Sequence, residues 1–113
     1  REKKLEQALL ACRQTHRTLL KQTKALLDAE SIPEKRASAM ARGMSWLKTN
    51  TKLAISADDE TVADLIVDGC NMGVKALMRC RNRCPDASEQ ARRIAAQIIS
   101  SEQLLCRSMQ PYL

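Results

Sequence analysis

The stretch VDGCNMGVKAL, residues 67–77, decides how this chain is interpreted, because it has the apolar content of a buried helix yet contains two glycines. Its apolar positions recur with the 3.6-residue period of an α-helix. At 100° per residue, Gly69 and Gly73 fall on the apolar side, whereas Asp68 and Asn71 fall on the opposite side, which we predict to face water. Each glycine destabilises a helix by roughly 1 kcal/mol relative to alanine. Two glycines within one helical turn therefore predict that a neighbouring helix packs closely against them or that a bulky group lies opposite.

The stretch belongs to a longer helical segment, which we predict over residues 59–83. Ser56 or Asp58 can cap its N-terminus, and its last turns carry the positive charge that the C-terminal end of a helix dipole favours. The periodicity of the remaining chain predicts three more helices over about 2–30, 33–55 and 87–110.

Local capping signals separate these segments. Ser31 with Glu34 forms a capping-box pattern before the second helix, and Asp86 with Glu89 does the same before the fourth. Pro111 is expected to end the last helix, because proline cannot donate the next backbone hydrogen bond.

Four long helices joined by short connections must fold back on one another. We therefore predict an all-α fold, an antiparallel up-down-up-down four-helix bundle that forms a single domain over residues 1–113. A dimer in which hairpins from two chains combine is the alternative, because short loops between long helices also permit swapping.

Composition agrees with a helical domain. The chain has 113 residues, of which 44% are hydrophobic and only 2% aromatic, so one core must be built from aliphatic side chains, methionine and alanine. No apolar run approaches the ~20 residues that span a bilayer, and we expect no membrane partner. The five cysteines are odd in number and lie within helical patterns, which indicates free thiols in a reducing cytoplasm.

Two polar residues lie on stripes that are otherwise apolar. His16 lies on the core stripe of the first helix, and Glu102 lies near the centre of the stripe on the fourth. In an antiparallel bundle these positions come within a turn of one another, at the level of Cys70. A buried carboxylate needs a partner. We therefore predict a buried polar layer of His16, Glu102 and Cys70, for which Gly69 and Gly73 form a helix-packing notch.

A layer that fixes helix register is the favoured interpretation of these residues. The alternative is a small-ligand or metal site centred on His16 and Glu102. Ferritin-like di-metal bundles need several carboxylates and a Glu-x-x-His pattern, which this chain lacks, so we expect no metal and no cofactor.

The segment CRNRC places Cys80 and Cys84 one helical turn apart. Two thiolates at that spacing could hold a soft ion such as Cu(I), whereas free thiols are the simpler interpretation. Catalysis has little support, because the chain has no glycine-rich phosphate loop and no suitably paired carboxylates. Cys12 lies one turn from His16, but both belong to an apolar stripe that substrate would not enter, and we expect no enzymatic activity.

Basic side chains gather at one end of the predicted bundle, where the first and third connections lie. They are Lys21, Lys24, Lys35, Arg36, Arg79, Arg81, Arg83, Arg92 and Arg93. Such an end suits weak, sequence-neutral binding of nucleic acid or an acidic protein. It has no aromatic side chains for base stacking and no recognition-helix motif, so sequence-specific binding is not expected.

Apolar residues also lie beside the core stripes, at Val67, Val74, Met78 and Leu104. Surplus apolar surface often becomes a contact between subunits. The sequence therefore predicts a non-catalytic helical module that binds a protein partner or itself, as a homodimer. A ligand-binding or metal-binding bundle and a nucleic-acid binder stay as alternatives.

Overall fold

The computed structural model describes residues 2–31 and 58–113, which form three α-helices and a short 3₁₀ turn. They are α1 (Lys3–Ala29), α2 (Asp59–Arg83) and α3 (Glu89–Met109), and the 3₁₀ turn spans Gln110–Tyr112. No strand occurs in these two ranges, so the all-α class is confirmed for them. The helix predicted over 33–55 lies outside the described residues. None of the described helices has the length and apolar content needed to cross a membrane.

Side-chain caps fix where α2 and α3 begin. Asp58 accepts a hydrogen bond from the backbone N–H of Thr61 at 2.8 Å, as predicted. At α3 the capping residue is Ser88, whose hydroxyl oxygen accepts from the N–H of Ala91 at 3.1 Å. The prediction that Asp86 opens this helix is wrong, because Ser88 lies directly before the first helical residue and reaches the free N–H groups itself.

Ser31 ends α1 in the left-handed backbone region, with φ 55°. Its N–H donates to the carbonyl oxygen of Asp28 at 3.1 Å, which satisfies one of the last carbonyls of the helix. The helix that Ser31 is predicted to cap lies outside the described residues, so its N-capping role stays a prediction.

α3 packs antiparallel against both α1 and α2. The backbone N–H of Glu2 donates to a carboxylate oxygen of Asp59 at 2.8 Å, which joins the starts of α1 and α2. The ends of α1 and α2 and the start of α3 therefore lie together at the opposite end of the molecule.

The apolar core lies where α1 and α2 begin and α3 ends. Leu5, Ala63 and Met109, one from each helix, are fully buried and in contact. Six partly buried side chains pack around them, namely Ala8, Leu9, Ile66, Val67, Leu105 and Tyr112. Val67, which we assigned to surplus surface, is thus part of the core.

The buried face of α2 is rotated from the predicted one. Its two buried residues are Ala63 and Cys70, seven positions apart, whereas Gly69 is exposed and Asp68 is half-buried. Ala63 and Cys70 are small, which allows α3 to approach α2 closely along this line. The expectation that Gly69 points inward and Asp68 outward is therefore wrong.

Candidate functional site

The centre of the described structure is a contact between His16 of α1 and Glu102 of α3. Antiparallel packing brings the two residues to one level, and the Nε2 of His16 lies within hydrogen-bonding distance of the Oε1 of Glu102. An ionised carboxylate has no proton to donate, so the imidazole Nε2–H is the donor. The structure thus brings together the two side chains that the sequence placed in a polar layer.

The layer is less buried than predicted. The side chain of His16 is 44% exposed and that of Glu102 is 13% exposed. None of the polar or charged residues in the described ranges reaches the buried class. One edge of the imidazole therefore faces solvent while the carboxylate is mostly covered.

Cys12 holds the other nitrogen of the imidazole. The Nδ1 of His16 lies 3.2 Å from the Sγ of Cys12 and 2.9 Å from the carbonyl oxygen of the same residue, one turn earlier on α1. When the imidazole is neutral, Nδ1 accepts from the thiol; when it is protonated, Nδ1–H donates to the carbonyl oxygen. The ring is therefore oriented toward Glu102 in both charge states.

Cys70 adds the third helix to the cluster. Its thiol is buried, and the pKa of Cys70 is raised to about 12, first by loss of solvent and then by hydrogen bonding with Glu102 and by the negative charge of that carboxylate. The pKa of Cys12 is raised as well, by burial and by the same carboxylate. Glu102 is thus shared between His16 of α1 and Cys70 of α2.

The arrangement of thiol, imidazole and carboxylate has the order found in nucleophile, base and orienting groups. A nucleophilic thiol, however, needs a lowered pKa that populates the thiolate. Both Cys12 and Cys70 have raised pKa values, so the cluster favours neutral thiols. Within residues 2–31 and 58–113, no three His, Cys, Asp or Glu side chains are placed to hold a metal ion together. The geometry therefore favours an interaction that sets helix register.

The glycines of α2 relate to this cluster unequally. A Cβ built on Gly73 would lie 3.9 Å from the Oε2 of Glu102, an ordinary contact distance. A Cβ built on Gly69 would meet no atom of the described residues within 4 Å. Gly73 therefore lies near the carboxylate with room for a Cβ, so the contact does not require a glycine there, and Gly69 lies outside the cluster.

Sequence reasoning missed a contact beside the cluster. The thiol of Cys106 lies 3.8 Å from the side-chain oxygen of Asn71, at a distance where a thiol is a weak donor. The sequence predicts Asn71 on the water-facing side of α2, and the residue is exposed as predicted. A helical phase centred on Cys70 would have turned Asn71 toward α3.

The described basic residues gather at one end, as predicted. Lys21 and Lys24 lie toward the end of α1, Arg79, Arg81 and Arg83 toward the end of α2, and Arg92 and Arg93 at the start of α3, and all seven are exposed. Arg93 pairs with Glu89 at 3.3 Å across one helical turn, an exposed contact that stabilises by only a few tenths of a kcal/mol. Lys35 and Arg36 lie outside the described residues. The nucleic-acid alternative stays a prediction.

Comparison with protein-family models, curated proteins and solved structures finds no match to this chain.

We predict that Gly69→Ala and Gly73→Ala each raise the free energy of unfolding, by about 0.5–1 kcal/mol, because alanine favours the helix and neither new methyl group meets a short contact. Urea denaturation measures the change. Ala76→Gly, at an exposed position of the same helix, is the control and should lower the stability by a similar amount. A loss of stability in Gly69→Ala would show that a neighbour needs that space.

We also predict that Cys70 is the slowest of the five thiols to be alkylated. A pKa of about 12 instead of 9.0 lowers the thiolate fraction at pH 8 by roughly 1000-fold, since each pKa unit changes it tenfold. Timed alkylation of the folded chain, followed by peptide mass spectrometry, gives the order of modification.

Glu102→Gln removes the charge that helps to raise the pKa of Cys70 and should speed its alkylation. Glu89→Gln, at an exposed position of the same helix, should leave the rate unchanged. Cys70 reacting as fast as the exposed Cys80 would contradict the proposed hydrogen bond.

Proposed function

We propose that the protein is a non-catalytic helical module that associates with a second copy of itself through the outer face of α1 and α3. The observation that carries this proposal is the side chain of Leu104, which is 60% exposed on the face of α3 that also borders an open groove. A large apolar side chain beside a groove is a common element of helical interfaces.

The groove runs between the second half of α1 and the first half of α3. It has a volume of about 500 Å³, with Ala25, Leu26 and Ile94 among its apolar side chains and glutamines and Arg93 at its margin. A second hollow of about 310 Å³ continues it toward the start of α1 and shares Gln22 and Gln97 with it. The two hollows extend along several turns of α1, the kind of surface that receives a helix.

Leu104 is placed to enter this groove on a second copy. Gln90, Gln97 and Leu104 are spaced by seven residues and therefore share one face of α3. Leu104 lies ten residues beyond Ile94, about 15 Å along the helix at 1.5 Å per residue. If two copies of α3 pair antiparallel about a twofold axis midway between these positions, each Leu104 reaches the partner's groove. The same contact then forms twice, as in an isologous dimer.

The absence of catalysis in this proposal is supported by the thiols of the central cluster. Their raised pKa values populate the form that does not attack substrates. Glu102 also connects the cluster to all three described helices. A substrate that reacted with one of these side chains would have to replace a contact between two helices.

Sedimentation velocity from low micromolar to several hundred micromolar chain tests the proposal, and we expect a monomer–dimer equilibrium. Leu104→Glu should weaken it by at least about tenfold, because a charge would enter an apolar groove. Leu20→Glu is the matched control, since Leu20 is 52% exposed and lies on the side of α1 away from the groove.

A chain that stays monomeric over the whole concentration range would overturn the proposal. So would a dimer that Leu20→Glu dissociates and Leu104→Glu does not. Circular dichroism of both variants establishes that each is folded before the comparison is made.

A further inference from the structure

A second pair of thiols lies far from the central cluster, where α2 ends. Cys80 belongs to the last turn of α2, and Cys84 is its C-terminal capping residue. The backbone N–H of Cys84 donates to the carbonyl oxygen of Cys80 at 3.0 Å, so the two residues lie one above the other on the helix. Both are exposed and neither forms a disulfide.

Both cysteines line one cavity, of about 440 Å³, between the end of α2 and the start of α3. Much of its wall is apolar and consists of Leu77, Pro85, Ala87, Ala91 and Ala95. Arg81 and Arg92 line the same cavity and supply two positive charges. The two sulfur atoms therefore share a partly apolar space with cationic groups.

We propose that Cys80 and Cys84 bind one Cu(I) ion as a bis-thiolate. Thiolate sulfur is a soft ligand that selects Cu(I), and this ion accepts two ligands. Both thiols lose a proton on binding, and the two protons pass to solvent. The copper with its two thiolates then carries one net negative charge, which the guanidinium groups of Arg81 and Arg92 offset. No electron transfer is needed, because the ion is supplied already reduced.

The geometry selects against zinc at the same position. A structural Zn²⁺ takes four ligands, whereas the part of the chain described here places no third His, Cys, Asp or Glu with Cys80 and Cys84. The remaining thiols are also less suited. Cys70 is buried and its pKa is raised, and Cys12 is in contact with His16.

The test is an anaerobic titration of the reduced full chain with Cu(I) in competition with a Cu(I)-specific chromogenic chelator. We expect one tightly bound ion per chain. Cys80→Ser and Cys84→Ser should each weaken its binding by at least about 100-fold, because each leaves a single thiolate ligand. Cys12→Ser is the control and should bind copper as the unaltered chain does.

Three results would overturn the proposal. The affinity could be unchanged in Cys80→Ser, it could fall in Cys12→Ser, or Zn²⁺ could compete equally for the same two thiols. Light scattering during the titration gives an independent reading. If copper doubled the molar mass of Leu104→Glu, a variant designed not to dimerise, the ion would lie between two chains. That result would contradict a copper site within one chain.

Discussion

The carboxylate of Glu102 is the interaction on which the arrangement of the described helices depends. It accepts from the imidazole of His16 on α1, and it raises the pKa of the Cys70 thiol on α2, so one group of α3 acts on both neighbours. A slip of one helical turn moves α3 by about 5.4 Å and would break the hydrogen bond with His16. A mostly covered carboxylate without hydrogen-bond donors destabilises the folded state. The observed helix register is therefore more stable than registers shifted by one turn.

Around this cluster the three described helices have a packed end and an open end. The core of Leu5, Ala63 and Met109 lies where α1 and α2 begin. At the other end the helices leave the groove between α1 and α3 and the cavity beside Cys80 and Cys84. The proposed copper site belongs to this open end, where positive charge is concentrated, and the proposed dimer joins the groove of one copy to Leu104 of the other. Packing and the Glu102 cluster hold the described helices together.

The sequence predicted the register better than the helical phase. The antiparallel order of α1 and α3, with their ends aligned near residues 29 and 87, placed His16 opposite Glu102, because both follow from local signals and chain length. The sequence did not predict which face of α2 packs against α3. The apolar residues of α2 cover a wide arc of the helix, and this arc could be centred on Gly69 or on Cys70. Tertiary packing decided between them through the small side chains of Ala63 and Cys70. The groove between α1 and α3 was also beyond prediction, because it depends on how far the two helices lie apart.

The most direct test of the central contact is NMR of the imidazole, which needs no assignment because His16 is the only histidine. If Nε2–H donates to Glu102, the unaltered chain should show a downfield Nε2-bound proton that exchanges slowly with water. This signal should disappear in Glu102→Ala and persist in Glu60→Ala, at an exposed position of α2. A rapidly exchanging imidazole proton that is insensitive to Glu102→Ala would show that His16 and Glu102 are not hydrogen-bonded.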